Sequence, residues 1–96
     1  MCILMLLNER DCYGYEVSKE IGNLLDAKEG TIYLILQRLE KTVFVDSYLQ
    51  ASDNNKTRKY YHLTAAGKKR MTQLIEDYKS INQVITYYMD KTVGGE

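Results

Sequence analysis

Two short segments of the chain carry side chains suited to contacts with a polyanion. Residues 31–41 mix hydroxyl, amide and guanidinium groups, and sixteen residues further on Arg58-Lys59 is followed by Tyr60-Tyr61. Guanidinium and ammonium groups bind phosphate, whereas amide and guanidinium groups also pair with the edges of bases. The first chemistry that these residues indicate is therefore recognition of nucleic acid.

Catalysis and metal binding are not indicated. His62 is the single histidine, and it has no neighbour at the spacing of a metal site. Cys2 and Cys12 are too few for a disulfide framework, so we expect idle thiols in a reducing compartment. No nucleophile–base pair or phosphate-binding loop is recognisable. We expect no enzyme activity, no cofactor and no metal.

Charge is unevenly distributed along a chain whose formal net charge is zero. Residues 1–50 carry eight acids against five bases, whereas residues 54–75 carry six bases and no acid. A neutral total therefore conceals a basic face, which favours a nucleic-acid partner. The apolar run 2–7 is too short to span a bilayer and lacks a basic leader, so the sequence predicts a cytoplasmic protein and no membrane partner.

The elements that must position these groups are mostly helices. Apolar periodicity predicts helices over 1–8, 13–25, 28–41 and 65–91, with Asp11 and Thr64 as N-caps of the second and last. Strands are predicted over 43–50 and 58–63, joined by a polar turn at 51–57 with its centre at 52–55. The fold class is mainly α with a small β-hairpin: a winged helix-turn-helix plus a long C-terminal helix.

The second and third helices each have a predicted core stripe. These stripes are Val17, Ile21, Leu24 and Leu25 in the second helix, and Ile32, Ile35, Leu36 and Leu39 in the third. Gly14, near the start of the second helix, would let another helix approach closely.

The polar side of the third helix is the predicted reading surface. Arg38 could reach a guanine or a phosphate, Gln37 an adenine, and Leu34 a thymine methyl group. The alternative is a merely solvated face. The predicted surface consists of Thr31, Tyr33, Leu34, Gln37 and Arg38.

The hairpin supplies a second set of cations. Lys56, Arg58 and Lys59 could lie along phosphates or reach into a minor groove. Alternatively they keep the strand edge soluble and free of aggregation. Tyr60 and Tyr61 are expected to pack within the sheet rather than stack on bases.

The last helix has an apolar seam at alternating spacings of three and four. A helix of about 27 residues spans roughly 40 Å, more than one small domain can cover, so the seam predicts a two-fold homodimer. Alternatively it folds back on the first helix of its own chain. Tyr78 and Tyr88 could line a pocket for a flat aromatic effector, or could simply pack. The seam consists of Met71, Leu74, Tyr78, Ile81, Ile85 and Tyr88.

Three motifs occur together in one known family. They are Tyr13-Gly14-Tyr15-Glu16 with Lys19-Glu20-Ile21; Gly30-Thr31-Ile32-Tyr33 with Ile35-Leu36 and Arg38-Leu39-Glu40-Lys41; and Ser47-Tyr48, Arg58-Lys59-Tyr60-Tyr61, Leu63-Thr64 and Gly67. Together they resemble the PadR family of bacterial transcriptional regulators, in its small subfamily with one C-terminal helix.

The resemblance implies a dimeric repressor that binds an inverted-repeat operator; such proteins often respond to a small aromatic or amphipathic ligand. It also places Tyr15 near DNA. By this reading, residues 1–63 form the DNA-binding domain and residues 64–96 the dimerisation helix. The alternative is a winged-helix module for protein interaction or ligand binding that lacks sequence-specific DNA affinity.

Overall fold

The structure is a computed structural model that describes residues 1–52 and 54–94. Its elements follow in the order α1 (Cys2–Glu9), β1 (Cys12–Tyr13), α2 (Gly14–Leu25), α3 (Glu29–Glu40), β2 (Val45–Ala51), β3 (Thr57–Leu63) and α4 (Ala65–Gly94). The predicted mainly α class with a winged helix-turn-helix and a long final helix is confirmed. Asp53 of the predicted turn, and residues 95–96, lie outside the described residues.

The sheet has three strands rather than the two of the predicted hairpin. Antiparallel pairing gives the order β1-β3-β2, with Tyr13 opposite Tyr60 and Tyr48 opposite Tyr60. The two-residue strand β1 lies where the sequence predicted a helix start. Tyr13 is the N-cap residue of α2, and its backbone N–H donates to Glu16 Oε1 at 3.1 Å. The prediction that Asp11 is this cap is therefore wrong.

The core lies between the helices and the inward side of the sheet. It is built from the buried residues of α1, one stripe each of α2 and α3, the inward residues of β1–β3, and Met71 of α4. Val17, Ile21, Ile32 and Leu36 are buried as predicted. The other half of the predicted α2 stripe is wrong, because Leu24 is 76% exposed and Leu25 also faces solvent. Both belong to the last turn of α2.

The junction between the sheet and α4 is fixed by a cap. The Thr64 hydroxyl accepts a hydrogen bond from Gly67 N–H at 3.0 Å and donates to the Val43 carbonyl at 2.6 Å. Thr64 thus caps α4, as predicted, and ties its first turn to the segment that precedes β2. A β-carbon at Gly67 would collide with the Phe44 carbonyl oxygen, so only glycine allows this close approach.

Candidate nucleic-acid interface

The outward side of α3 exposes most of the predicted reading surface. Thr31, Leu34, Gln37 and Arg38 are all exposed, on the side opposite the buried Ile32 and Leu36. A surface with these polar groups and one apolar side chain can pair with base edges and contact a thymine methyl group. The apolar stripe is narrower than predicted, because Ile35 is 37% exposed and Leu39 only half-buried.

Tyr33 is positioned differently from the rest of this surface. Its ring packs on the N-terminus of α2, and a β-carbon at Gly14 would lie 2.6 Å from ring carbon Cε1. This burial raises the pKa of the Tyr33 hydroxyl above its usual value. The predicted close approach at Gly14 is therefore confirmed, and it is what fixes the side chain of Tyr33 between α2 and α3.

Four tyrosines form a row from the start of α2 across the outward side of the sheet. Ring centroids are 6.4 Å apart for Tyr15 and Tyr13, 5.5 Å for Tyr13 and Tyr60, and 5.7 Å for Tyr60 and Tyr48. We call these residues the tyrosine row. Cross-strand aromatic pairs stabilise a sheet, which agrees with the packing role predicted for Tyr60. Tyr15, at the end near α3, is 49% exposed.

The hairpin of β2 and β3 is the wing of this fold, and the three basic residues predicted there are separated by the sheet. Lys56 is exposed just before β3, and the Arg58 guanidinium carbon lies 4.3 Å from the centroid of the Tyr13 ring, on the outward side. Lys59 points to the inward side, and its ammonium forms an ion pair with Glu40 at 2.6 Å. Side chains alternate along a strand, so neighbours such as Arg58 and Lys59 cannot share a surface.

Asp11 joins the outward side of the sheet to the segment after α1. Its two carboxylate oxygens contact the Tyr48 hydroxyl at 2.7 Å and His62 Nδ1 at 2.8 Å. Burial alone would raise the pKa of Asp11, but these hydrogen bonds outweigh it and hold the pKa below its usual value. Sequence reasoning missed this role because the three residues are 37 and 51 positions apart.

The predicted seam of α4 is divided between two environments. Met71 is buried in the core of its own chain and Leu74 is half-buried against it, which agrees with the alternative that the seam folds back. The last four positions, Tyr78, Ile81, Ile85 and Tyr88, are 49–60% exposed. Val84, Tyr87 and Met89 are exposed beside them, so the distal half of α4 has a broad apolar surface.

Neither a metal site nor a membrane span is found in the described part of the chain. Within residues 1–52 and 54–94, His, Cys, Asp and Glu side chains nowhere form a group of three that could hold a metal ion. Over the same residues, every helix is too short or too polar to cross a bilayer. Burial raises the pKa of the Cys12 thiol to about 11, which agrees with an unreactive core cysteine.

Known proteins are similar to this chain in sequence and in fold. The model of the transcriptional regulator PadR-like family matches residues 3–73. A PadR-like transcriptional regulator from Bacillus cereus is 28% identical, with a TM-score of 0.81 over 92% of this chain and 87% of its own. A PadR family regulator from Clostridium difficile is 34% identical, with a TM-score of 0.77 over 91% of this chain and 95% of its own.

A third structure is that of PadR from Bacillus subtilis in complex with operator DNA. It is 26% identical, with a TM-score of 0.67 over 76% of this chain and 44% of its own. The family consists of transcriptional regulators and not of enzymes, which confirms the expected absence of catalysis. With a family model that covers most of its length, and with motifs and fold in agreement, this chain belongs to the PadR-like family of transcriptional regulators.

Proposed function

We propose that this regulator binds double-stranded operator DNA through α3 and the wing. The proposal rests on one observation, which is that a chain of contacts joins α3 to the outward side of the sheet. Tyr33 of α3 packs on Gly14 at the start of α2. Tyr15 of α2 stacks on Tyr13, and the Tyr13 ring in turn contacts Arg58 of β3. A helix presents base-reading groups and a neighbouring strand presents a cation for phosphate, as in winged helix-turn-helix proteins. The Bacillus subtilis neighbour, crystallised with operator DNA, supports the same use of the fold.

Each part of this surface has a proposed role. Gln37, Arg38 and Leu34 contact base edges in the major groove, and Thr31 and Tyr15 contact flanking phosphates. Lys56 and Arg58 bind the backbone beyond the groove, with the Arg58 guanidinium held in place by the Tyr13 ring. The proposed DNA-contacting set is Tyr15, Thr31, Tyr33, Leu34, Gln37, Arg38, Lys56 and Arg58.

We further propose that the protein acts as a homodimer joined by the distal half of α4. Support comes from the exposed apolar residues Tyr78, Ile81, Ile85 and Tyr88, which one chain leaves uncovered. Two-fold pairing would place two copies of α3 on an inverted repeat. Residues 1–63 would supply DNA binding and residues 64–96 dimerisation, and occupancy of the operator in the cytoplasm would repress transcription.

An effector site is a further part of this proposal. A shallow apolar depression of about 430 Å³ on α4 is lined by Val84, Ile85, Tyr88 and Met89 together with Thr92. Aromatic and aliphatic walls with one hydroxyl group suit a small flat molecule. Tyr88 is part of this lining and Tyr78 is not, so the pocket would involve only one of the two predicted tyrosines. A ligand here would alter how two α4 helices pack and hence the spacing of the two α3 helices.

Selection of duplexes from a randomised pool by the purified protein tests DNA binding directly. We expect enrichment of an inverted repeat whose half-site centres lie about 34–36 Å apart. On that duplex, about 6–10 phosphate contacts give a slope of roughly −5 to −9 for log affinity against log salt. A failure to enrich any sequence, or a slope near zero on the enriched duplex, would favour the alternative of an interaction module.

A further inference from the structure

A polar cluster joins the recognition helix to both strands of the wing. Oxygen Oε1 of Glu40, the last residue of α3, accepts a hydrogen bond from the Ser47 hydroxyl of β2 at 3.0 Å. The same oxygen lies 2.6 Å from the ammonium nitrogen of Lys59 on β3. We call Glu40, Ser47 and Lys59 the polar clasp, because three elements meet at one carboxylate.

The sheet register explains why these side chains meet. Ser47 pairs with Tyr61, and Leu49 pairs with Lys59, so Ser47 and Lys59 are diagonal neighbours on the same side of the sheet. That side also carries the buried Tyr61, whose ring centroid lies 5.7 Å from the Lys59 ammonium. The clasp therefore lies at the edge of the core, where the apolar contacts between α3 and the sheet end.

The position of Glu40 at the end of α3 is unfavourable for a carboxylate. A carboxylate at the C-terminus of a helix faces the negative end of its dipole. Here the hydrogen bond from Lys59 and then that from Ser47 lower the pKa of Glu40, and Glu40 in turn raises the pKa of Lys59. The two charges are thus stabilised by each other, at a place where an isolated carboxylate would be disfavoured.

Arg58 provides a direct contrast one residue away. Its guanidinium lies over Tyr13 on the outward side of the sheet, and it forms no ion pair with the described residues of the chain. The ammonium of Lys59 already has an anionic partner, so a phosphate would have to compete with Glu40 for its charge. Adjacent basic residues of one strand therefore have different environments.

We propose that Lys59 and Glu40 are positioning residues that set the angle between the recognition helix and the wing, and that Lys59 does not bind phosphate. This inference rests on the proposed DNA-binding function. A rotation of α3 relative to the wing would misalign base contacts while leaving phosphate contacts available. Loss of the clasp should therefore reduce operator affinity without reducing the number of counterions that the DNA releases on binding.

Salt titrations on two matched variants distinguish positioning from phosphate binding. If Arg58 makes one phosphate contact in each chain of a dimer, Arg58→Met should reduce the magnitude of the log–log salt slope by about 2. Lys59→Met, which removes the same charge, should leave the slope unchanged and weaken operator binding roughly ten- to a hundredfold, comparable to one mismatched base pair. Its affinity for random DNA should stay close to that of the wild type.

Variants at Glu40 provide the independent check. Glu40→Gln should weaken operator binding as Lys59→Met does, and the exchanged pair Glu40→Lys with Lys59→Glu should recover most of the loss. Thermal unfolding monitored by circular dichroism checks that each variant is folded. If Lys59→Met does not fold, the Glu40→Gln titration decides the question by itself.

Three outcomes would overturn the inference. One is a slope reduction in Lys59→Met equal to that in Arg58→Met; another is tighter binding by Glu40→Gln, as expected of a lysine released toward phosphate. The third is operator affinity unchanged in both Lys59→Met and Glu40→Gln. A wild-type protein that fails to bind DNA at low salt is a separate result, because it removes the proposed function itself.

Discussion

A charge placed on the distal half of α4 should dissociate the protein into single chains. Ile85 lies in the middle of the exposed apolar positions Tyr78, Ile81, Ile85 and Tyr88, with 49% of its surface exposed in one chain. A two-fold dimer uses the same surface of both chains, so the substitution occurs twice in one interface. Ile85→Glu would therefore remove apolar contact from both chains and place two like charges in that interface.

The size of the effect follows from the exposed fraction. Full burial of an aliphatic side chain is worth about 1.5–3 kcal/mol, so burying the remaining half of Ile85 is worth about 0.8–1.5 kcal/mol per chain. Two chains lose about 1.5–3 kcal/mol, which weakens dimerisation by roughly ten- to more than a hundredfold before any charge repulsion. Four such positions on two chains supply about 6–12 kcal/mol, similar to the association cost of about 4–15 kcal/mol. The margin is small enough for one substitution to matter.

Sedimentation equilibrium from nanomolar to micromolar concentration measures this change. Gln83→Glu is the matched control, since it adds the same charge on α4 at an exposed position opposite the seam. We expect a dimer for the wild type and for Gln83→Glu, and single chains for Ile85→Glu with the helix content retained. Single chains of wild-type protein at micromolar concentration would refute the reasoning, as would equal dissociation constants for the two variants.

Two further predictions concern stability. Gly67→Ala should lower the free energy of unfolding by about 1–3 kcal/mol, because its β-carbon would strike a backbone carbonyl. Gly30→Ala should raise the free energy of unfolding by up to about 1 kcal/mol, because a β-carbon there would meet no atom within 4 Å. Urea titration of both variants measures the difference. Hydrogen bonds from Tyr48 and His62 keep the pKa of Asp11 low despite its partial burial. The ionised carboxylate therefore stabilises the folded chain at pH values above the pKa that Asp11 has in the unfolded chain. This stabilisation is lost as pH falls through the lower pKa of the folded chain. Asp11→Asn should therefore be less stable than the wild type at neutral pH, with a difference that shrinks in acid; a difference that grows in acid would contradict the assignment.

The helices and the main wing strands were predictable because each has a local pattern long enough to read. Apolar periodicity predicted α2 and α3 to within one residue at each end, and Thr64 was recognisable as a cap ahead of a long helix. The strand β1 was not predictable in this way. Two residues show no alternation, and their pairing with Tyr60 and Tyr61 depends on contacts almost fifty residues distant.

The surroundings of a side chain were harder to predict than its element. The spacing of Leu24 and Leu25 matched a core stripe, but spacing alone does not state whether another element packs against that turn of the helix. Within the wing, the strand pattern does indicate on which side of the sheet each side chain lies. Alternation along β3 already required Arg58 and Lys59 to lie on opposite sides of the sheet, so only one of them could share a surface with Tyr13.

The uneven placement of charges allows a chain of zero net charge to present a basic surface, because residues 54–75 carry six bases and no acid. The acids Glu20 and Glu40 are engaged by Arg10 and Lys59, at the α1–α2 contact and at the polar clasp. Within the described part of the chain, Arg58 is instead held by an aromatic ring, which leaves its charge uncompensated. A phosphate close to the protein responds to such local charges, because charges farther away than about 8–10 Å are screened at physiological salt. A neutral total would then limit the attraction to random DNA at longer range, so that discrimination depends on the angle at which α3 presents its side chains.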